Sequence, residues 1–437
     1  MEGECFFKED KMYLPNIVKL LKNRKKELTK KQLLTDFISG VIVAIIALPL
    51  SVALGISSGV TPEKGLITAI IAGFFISFFG GSKVQIGGPT GAFVVIVYGI
   101  IEKHGIEGLI ISTFMAGIIL IILGLIKAGS LIKYIPHAIT IGFTAGIAIT
   151  LFSTQVKDFL GLHIGKVPSE FIPKWNMYLR NISSLNFWTL ALGILSLIII
   201  VFWGKINKTI PGSLIALIVG TIIAFLFKLP VSTIGSQFGV LSSEIPNPSI
   251  PVLHIQTFIT LIGPAITIAF LAGIESLLSA VVSDDMINEN HDSNAELIGQ
   301  GLGNIASALF GGIPATGAIA RTAANVKSGG RTPLAGIIHA IVLLLIMKIF
   351  MPFIKYVPLT TLAAILLVVS YNMSQWRVFK SVLSNSRLDV ILLITTFSLT
   401  VVSDLVTAIV VAMVIYLIPY DKILNSISLL RRKAEVE

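Results

Sequence analysis

Gly87-Gly88-Pro89-Thr90-Gly91-Ala92 and Gly311-Gly312-Ile313-Pro314-Ala315-Thr316-Gly317-Ala318 interrupt two apolar stretches of this chain, and both end in Thr-Gly-Ala. Each lies downstream of the same tripeptide, Phe79-Gly80-Gly81 in the first case and Phe310-Gly311-Gly312 in the second, and the two Thr-Gly-Ala copies are 226 residues apart in a chain of 437. The chain therefore reads as two related halves. Glycine and proline stop a helix, so the apolar residues after each break are expected to start a new helix within the membrane. Interrupted hydrophobic segments at corresponding positions of two halves point to the binding site of a secondary transporter.

Composition places the chain in lipid. Hydrophobic residues make up 54% and charged residues 13%, and the mean hydropathy is +0.90, beyond what a soluble core of this size needs. Apolar stretches of about 20 residues, the length that crosses a bilayer, recur from Asp36 to Tyr420. Residues 1–35 are rich in lysine and lack the apolar core and cleavage site of a signal peptide, so they read as a cytosolic leader. The lone cysteine, Cys5, excludes an intramolecular disulfide. A net charge of +10 sits in loops, where it sets orientation; nucleic acid is not an expected partner, whereas membrane lipid is.

Fourteen spans are expected, near 37–56, 64–79, 87–102, 107–127, 135–156, 188–204, 211–227, 257–282, 295–310, 315–327, 332–353, 358–371, 388–402 and 405–420. The third and tenth begin at the duplicated motif. An even count puts both termini on one side of the plasma (inner) membrane. Lysine and arginine in 205–208, 327–331 and 377–387 make that side the cytoplasm, which leaves the loop 157–187 outside. A second repeat, Ile132-Lys133-Tyr134-Ile135-Pro136 and Ile354-Lys355-Tyr356-Val357-Pro358, supports seven spans repeated twice. Because seven is odd, the second half enters from the opposite face and the repeat is inverted.

Two helix N-termini facing each other in mid-membrane offer free backbone N–H groups and partial positive charge, which suits an anion. On this reasoning Thr90, Gly91 and Ala92 and Thr316, Gly317 and Ala318 are substrate-binding candidates. Tight helix crossing through small residues is the competing reading. Glu275 lies deep in the eighth span, where a carboxylate costs about 3 kcal/mol, so it should face a cavity, bind a cation or be protonated; Ser279 follows one turn later. Arg321 is one turn past Gly317 and could bring positive charge to the same cavity, pair with Glu275 or snorkel to the interface. Pro49 of the first span maps onto Glu275 through the 226-residue offset. The cluster Asp284, Asp285, Glu289, His291 and Asp292 reads as a cytoplasmic loop without metal-ligand spacing, and His137 and His339 as helix-end residues. No phosphate-binding loop and no nucleophile with its partners is found, so neither an ATP-driven pump nor an enzyme is expected.

These residues resemble the sulfate permease family, the SulP or SLC26-type anion transporters. The resemblance runs from Asp36-Phe37-Ile38-Ser39-Gly40 through Gly88-Pro89-Thr90-Gly91 to Arg321-Thr322-Ala323-Ala324-Asn325 and Ser328-Gly329-Gly330-Arg331-Thr332. Ser293-Asn294-Ala295-Glu296-Leu297-Ile298-Gly299-Gln300-Gly301-Leu302-Gly303-Asn304 is also similar to the cyanobacterial sodium-dependent bicarbonate branch. The resemblance implies an all-α polytopic fold of seven plus seven inverted spans, like that of the uracil permease. A core domain (within 36–127 and 257–353) would move against a gate domain (within 135–227 and 358–422) in an elevator-like dimer. Within the transmembrane region 36–422 it adds Ile319 to the anion site, and it makes Glu275 and Ser279 the place of a coupling cation, a possible sodium site. Leu50 stands after Pro49 where many members carry Gln, and Arg321 stands where the bicarbonate branch is uncharged. Many relatives continue into a STAS domain, whereas here a short cytosolic tail, 423–437, is expected. The expected function is secondary active transport of sulfate or bicarbonate coupled to a proton or sodium ion at Glu275. An uncoupled anion channel or exchanger, or a dicarboxylate transporter of the same fold, is the alternative.

Overall fold

The computed structural model describes residues 15–22, 28–130, 136–207, 210–252, 255–403 and 405–417. Helix α1 is Asn16–Lys22, α2 Lys30–Ser57, α3 Pro62–Phe79, α4 Val94–Leu125, α5 His137–Leu160, α6 Phe171–Arg180, α7 Phe187–Ile206 and α8 Gly212–Leu226. They are followed by α9 Ile234–Phe238, α10 Ile255–Ile287, α11 Ser293–Leu309, α12 Ile319–Lys327, α13 Leu334–Ile354, α14 Leu359–Met373, α15 Trp376–Val382, α16 Arg387–Val402 and α17 Leu405–Leu417. Within the described residues each of the fourteen apolar segments read from the sequence overlaps a helix, the third and tenth beginning on short strands, Gly87–Gly88 and Thr316–Gly317. The third and fourth are the two arms of α4, which breaks at Gly105, where φ is 69° and ψ −176°, a conformation open to glycine. Among the described residues seven helices are long and apolar enough to cross a membrane by themselves.

The packing repeats about a two-fold axis. In one packed group α3 lies against α13 and α2 against α3 and α13; in the matching group α11 lies against α4 and α10 against α11 and α4, so each group borrows one helix from the other half of the chain. Likewise α5 packs on α16 as α14 packs on α7, α7 pairs with α8 as α16 pairs with α17, and α5 meets its own counterpart, α14. Pro136 and Pro358 cap α5 and α14 at matching positions; residues 132–135 of the second sequence marker lie outside the described residues. Small residues allow the closest crossings. A β-carbon on Gly117 of α4 would come within 2.6 Å of the Gly301 carbonyl oxygen on α11, and one on Gly301 within 2.6 Å of the Gly117 oxygen. Outward-facing Phe202, Phe225, Leu345 and Ile349 are at least half exposed, as lipid-facing side chains are.

The leader is tied to this scaffold earlier than the sequence suggested. Helix α2 starts at Lys30, six residues before Asp36, with the Thr29 hydroxyl accepting from Gln32 N. Asn16 N–H donates to Gly80 O at 3.2 Å, and Ile17 and Leu20 of α1 are buried; residues 1–14, with Cys5, and the tail 423–437 lie outside the described residues. The acidic loop is structural. Asp284 Oδ2 sits 2.6 Å from His291 Nδ1, Glu289 pairs with Lys83 at 2.9 Å, and Asp292 caps α11 by accepting from Asn294 N and Ala295 N. His137 opens α5 as expected, but His339 does not end a helix. It lies inside α13, fully buried, and among the described residues neither ring nitrogen has a hydrogen-bond partner.

Candidate functional site

The two Thr-Gly-Ala breaks meet in the middle of the fold. Gly87–Gly88 (β1) and Thr316–Gly317 (β2) form an antiparallel ladder with Gly87 opposite Gly317 and Gly88 opposite Thr316. Ala318 N–H extends it to Ile86 O at 2.9 Å. This register puts the local two-fold axis between Pro89 and Ala315, residues also related by the 226-residue offset. From the ladder one strand runs through a 3-10 turn, Gly91–Phe93, into α4, and the other runs into α12. Among the described residues no protein acceptor meets the N–H groups of Gly91, Ala92, Ile319 or Ala320, the free donors at two opposed helix starts.

Helix α10 flanks the ladder and takes both threonine hydroxyls. Thr90 Oγ1 donates to Glu275 Oε2 at 2.9 Å, and Thr316 Oγ1 donates to Ala272 O at 2.8 Å. Ala272 and Glu275 are three residues apart and so share one face. On the α12 side the unclaimed donors thus begin at Ile319, since the Ala318 N–H is engaged in the ladder. Gly317 has a packing task as well: a β-carbon there would lie 1.9 Å from Gln85 Nε2. Gly91 differs, because the ends of Leu151 on α5 and Met373 on α14 cover it, 2.8 Å and 3.1 Å from where a β-carbon would sit.

Arg321 is 3% exposed and does not snorkel. Its Nη2 donates to Pro89 O in the other half, and its Nη1 lacks a hydrogen-bond partner among the described residues. The guanidinium lies over Gly88, whose φ of 151° and whose closeness to Nη1, 2.5 Å from a β-carbon placed there, both call for glycine. No ion pair joins Arg321 to Glu275 among the described residues. Ser279 also points elsewhere than Glu275, its hydroxyl lying 3.4 Å from Thr322 Oγ1, which in turn accepts from Ile86 N. Thr90, Glu275, Arg321 and the two helix starts are therefore brought together, with Ser279 bracing the approach to β1.

The polar frame behind the ladder was missed. Glu296 on α11, fully buried, accepts from Gly81 N (2.9 Å), Ser82 N (3.0 Å), Gln85 Nε2 (3.1 Å), Ser276 Oγ (3.0 Å) and Gln300 Nε2 (2.8 Å). Five donors compensate a buried carboxylate that would otherwise be prohibitive. Asn304 holds both polar atoms of the Ala315 backbone, and Asn325 holds Val84 O at 2.8 Å. The signal that singled out Glu275, an acid deep in an apolar span, does not reach Glu296, which stands in the first turn of α11, where an acid is ordinary.

The sulfate permease family profile matches residues 33–396. This chain belongs to the sulfate permease family. Within the family it is 44% identical over 372 residues to the putative sulfate transporter YvdB of Bacillus subtilis, covering 85% of this chain and 70% of that protein. It is 35% identical over 387 residues to the bicarbonate transporter BicA of Picosynechococcus, covering 86% and 68%. The transmembrane domain of a cyanobacterial BicA superposes with a TM-score of 0.79 at 32% identity, covering 87% of this chain and 98% of that one. The structure of SLC26A9, at 18% identity, shares the fold with a TM-score of 0.83, covering 92% of this chain and 68% of that one. The sulfate permease fold thus extends over both halves and the ladder between them.

Proposed function

We propose that the chain is a secondary active transporter of a small inorganic oxyanion, sulfate or bicarbonate, seated between the starts of α4 and α12. The observation that carries this reading is the set of unclaimed N–H groups at Gly91, Ala92, Ile319 and Ala320, with Arg321 beside them. Backbone donors at helix N-termini suit an oxyanion whatever its central atom, and the names of the relatives supply the two candidates. Glu275 is the proposed seat of the coupling ion, a proton or sodium. Driving an anion into a cell that is negative inside costs about 2.3 kcal/mol per charge per 100 mV, which an inward cation offsets. A carboxylate hydrogen-bonded to Thr90 lets cation and anion sense each other through one side chain.

The packing supports alternating access of the elevator type. Helices α2 to α4 and α10 to α13 would form a core that carries the ladder, and α5, α7, α8, α14, α16 and α17 a gate, with Leu151 and Met373 of the gate covering Gly91. Both termini would be cytoplasmic, the membrane the plasma membrane and the working unit a dimer. The decisive experiment is uptake of labelled sulfate and labelled bicarbonate into proteoliposomes under imposed sodium or proton gradients. Concentrative uptake of neither anion under any gradient would overturn the reading.

A further inference from the structure

A cavity of about 340 Å³ opens where α2 and α5 end toward the loop 157–187, beside the first turns of α4. Three ammonium groups, Lys157, Lys166 and Lys174, line it against one carboxylate, Asp158, and the aromatic rings of Tyr98 and Tyr178 form its sides. Its wall is fixed: Tyr98 Oη donates to Val167 O at 2.7 Å, and Lys157 Nζ donates to Gly165 O at 3.1 Å. Lys174, on α6, is the unusual member. It is 4% exposed, yet its ammonium makes no hydrogen bond and no ion pair among the described residues. Burying an unpaired ammonium is costly, and a bound anion would remove that cost.

We propose that this cavity is a second oxyanion site, separate from the ladder, in which Lys174 with Lys157 and Lys166 captures a small free oxyanion such as sulfate. Its position suits a waiting site. Tyr98 lies seven residues after Gly91, through the 3-10 turn and the first turn of α4, about 10 Å of helical rise. Ser57 of α2 and Thr154 of α5 line the same cavity, and Gln155 Nε2 donates to Ser57 Oγ at 3.1 Å across the seam between those helices. An anion here would therefore touch both proposed bodies of the transporter. That role in transport rests on the function proposed above; occupancy of the cavity does not.

Burial lowers the Lys174 amine to a pKa of about 8, with Glu102 on α4 opposing the shift, so at pH 8 a larger share of it is free amine than of an ordinary lysine, open to a small reagent through the cavity. The test is acetylation of the purified full-length chain, read lysine by lysine by mass spectrometry, in sodium sulfate and in sodium gluconate at equal ionic strength. Sulfate is expected to slow acetylation of Lys174 severalfold while leaving Lys19, on the opposite face, unchanged. Protection should persist in Arg321→Ala, where the ladder site is impaired, so failure of the proposed transport function and failure of this site are distinguishable. In Lys174→Met, protection of Lys157 and Lys166 should disappear. Equal rates in the two salts, an unreactive Lys174, protection lost in Arg321→Ala, or protection of Lys157 and Lys166 retained in Lys174→Met would each overturn the proposal.

Discussion

Gly317→Ala separates two tasks that one glycine could perform. The added methyl would stand 1.9 Å from Gln85 Nε2 and 2.4 Å from its Cδ, so the amide has to leave. Gln85 Nε2 donates to Ser276 O at 3.0 Å, Ser276 Oγ at 2.8 Å and Glu296 Oε1 at 3.1 Å, and these contacts go with it. Losing a donor to a buried carboxylate costs about 1.5–3 kcal/mol, and the remaining overpacking about 1–3 kcal/mol. The expected destabilisation is thus about 2.5–6 kcal/mol, at least about fifty-fold in the folded-to-unfolded ratio. Thermal unfolding of the purified protein, followed by tryptophan fluorescence, should show it directly. The control is a double-mutant cycle: in a Gln85→Ala background the clash is gone, and Gly317→Ala should cost less than about 0.5 kcal/mol more. Wild-type stability of Gly317→Ala with lost sulfate binding would refute the reasoning, because the glycine would then serve the ligand and not Gln85.

Gly91→Ala presses only on the flexible ends of Leu151 and Met373, so the protein should keep its thermal stability while calorimetry shows weakened anion binding; unchanged binding would move the anion away from the α4 start. Arg321→Ala should weaken sulfate about tenfold more than bicarbonate, since a lost positive charge matters more to a divalent anion, and binding titrations of both anions would show it. Glu275→Gln should abolish concentrative uptake in liposomes; accumulation with unchanged cation dependence would make Glu275 structural. The acetylation rate of Lys174 should rise with pH through about 8, because the free amine is the reactive form, instead of near the ordinary lysine value of 10.5. Single cysteines at Ser183 and Ser384, with Cys5 replaced, should label from outside and inside respectively.

Much of the architecture was legible because each signal was local. Apolar length marked the helices, and glycine with proline marked both breaks. The short helices α1, α6, α9 and α15 escaped because helices of about ten residues or fewer carry too little apolar periodicity to stand out beside long spans. In the site, Thr90, Glu275 and Arg321 were found as an improbable polar set in apolar sequence, and the structure brings them together around the ladder. The Glu296 frame was not found as a frame, because its partners Gly81, Ser82 and Gln85 lie in the other half and two of them act only through backbone N–H groups. Spacing along a chain is silent about such bonds. It is equally silent about hydroxyl direction, which is why Thr316 and Ser279 proved to be turned toward Ala272 and Thr322.

The crossing of the two halves has a consequence for how the protein is made. Glu296 is synthesised 215 residues after Gly81, an interval of about 10–40 s at ordinary elongation rates of about 5–20 residues per second. Through the later part of that interval, once residue 125 has left the ribosome, α2 to α4 are in the bilayer while Gly81, Ser82 and Gln85 have no Glu296 to accept from them and β1 has no partner strand. The first half must therefore wait in the membrane as an unfinished body, its polar seam open to water or to the insertion machinery, until α11 and α12 arrive to close it.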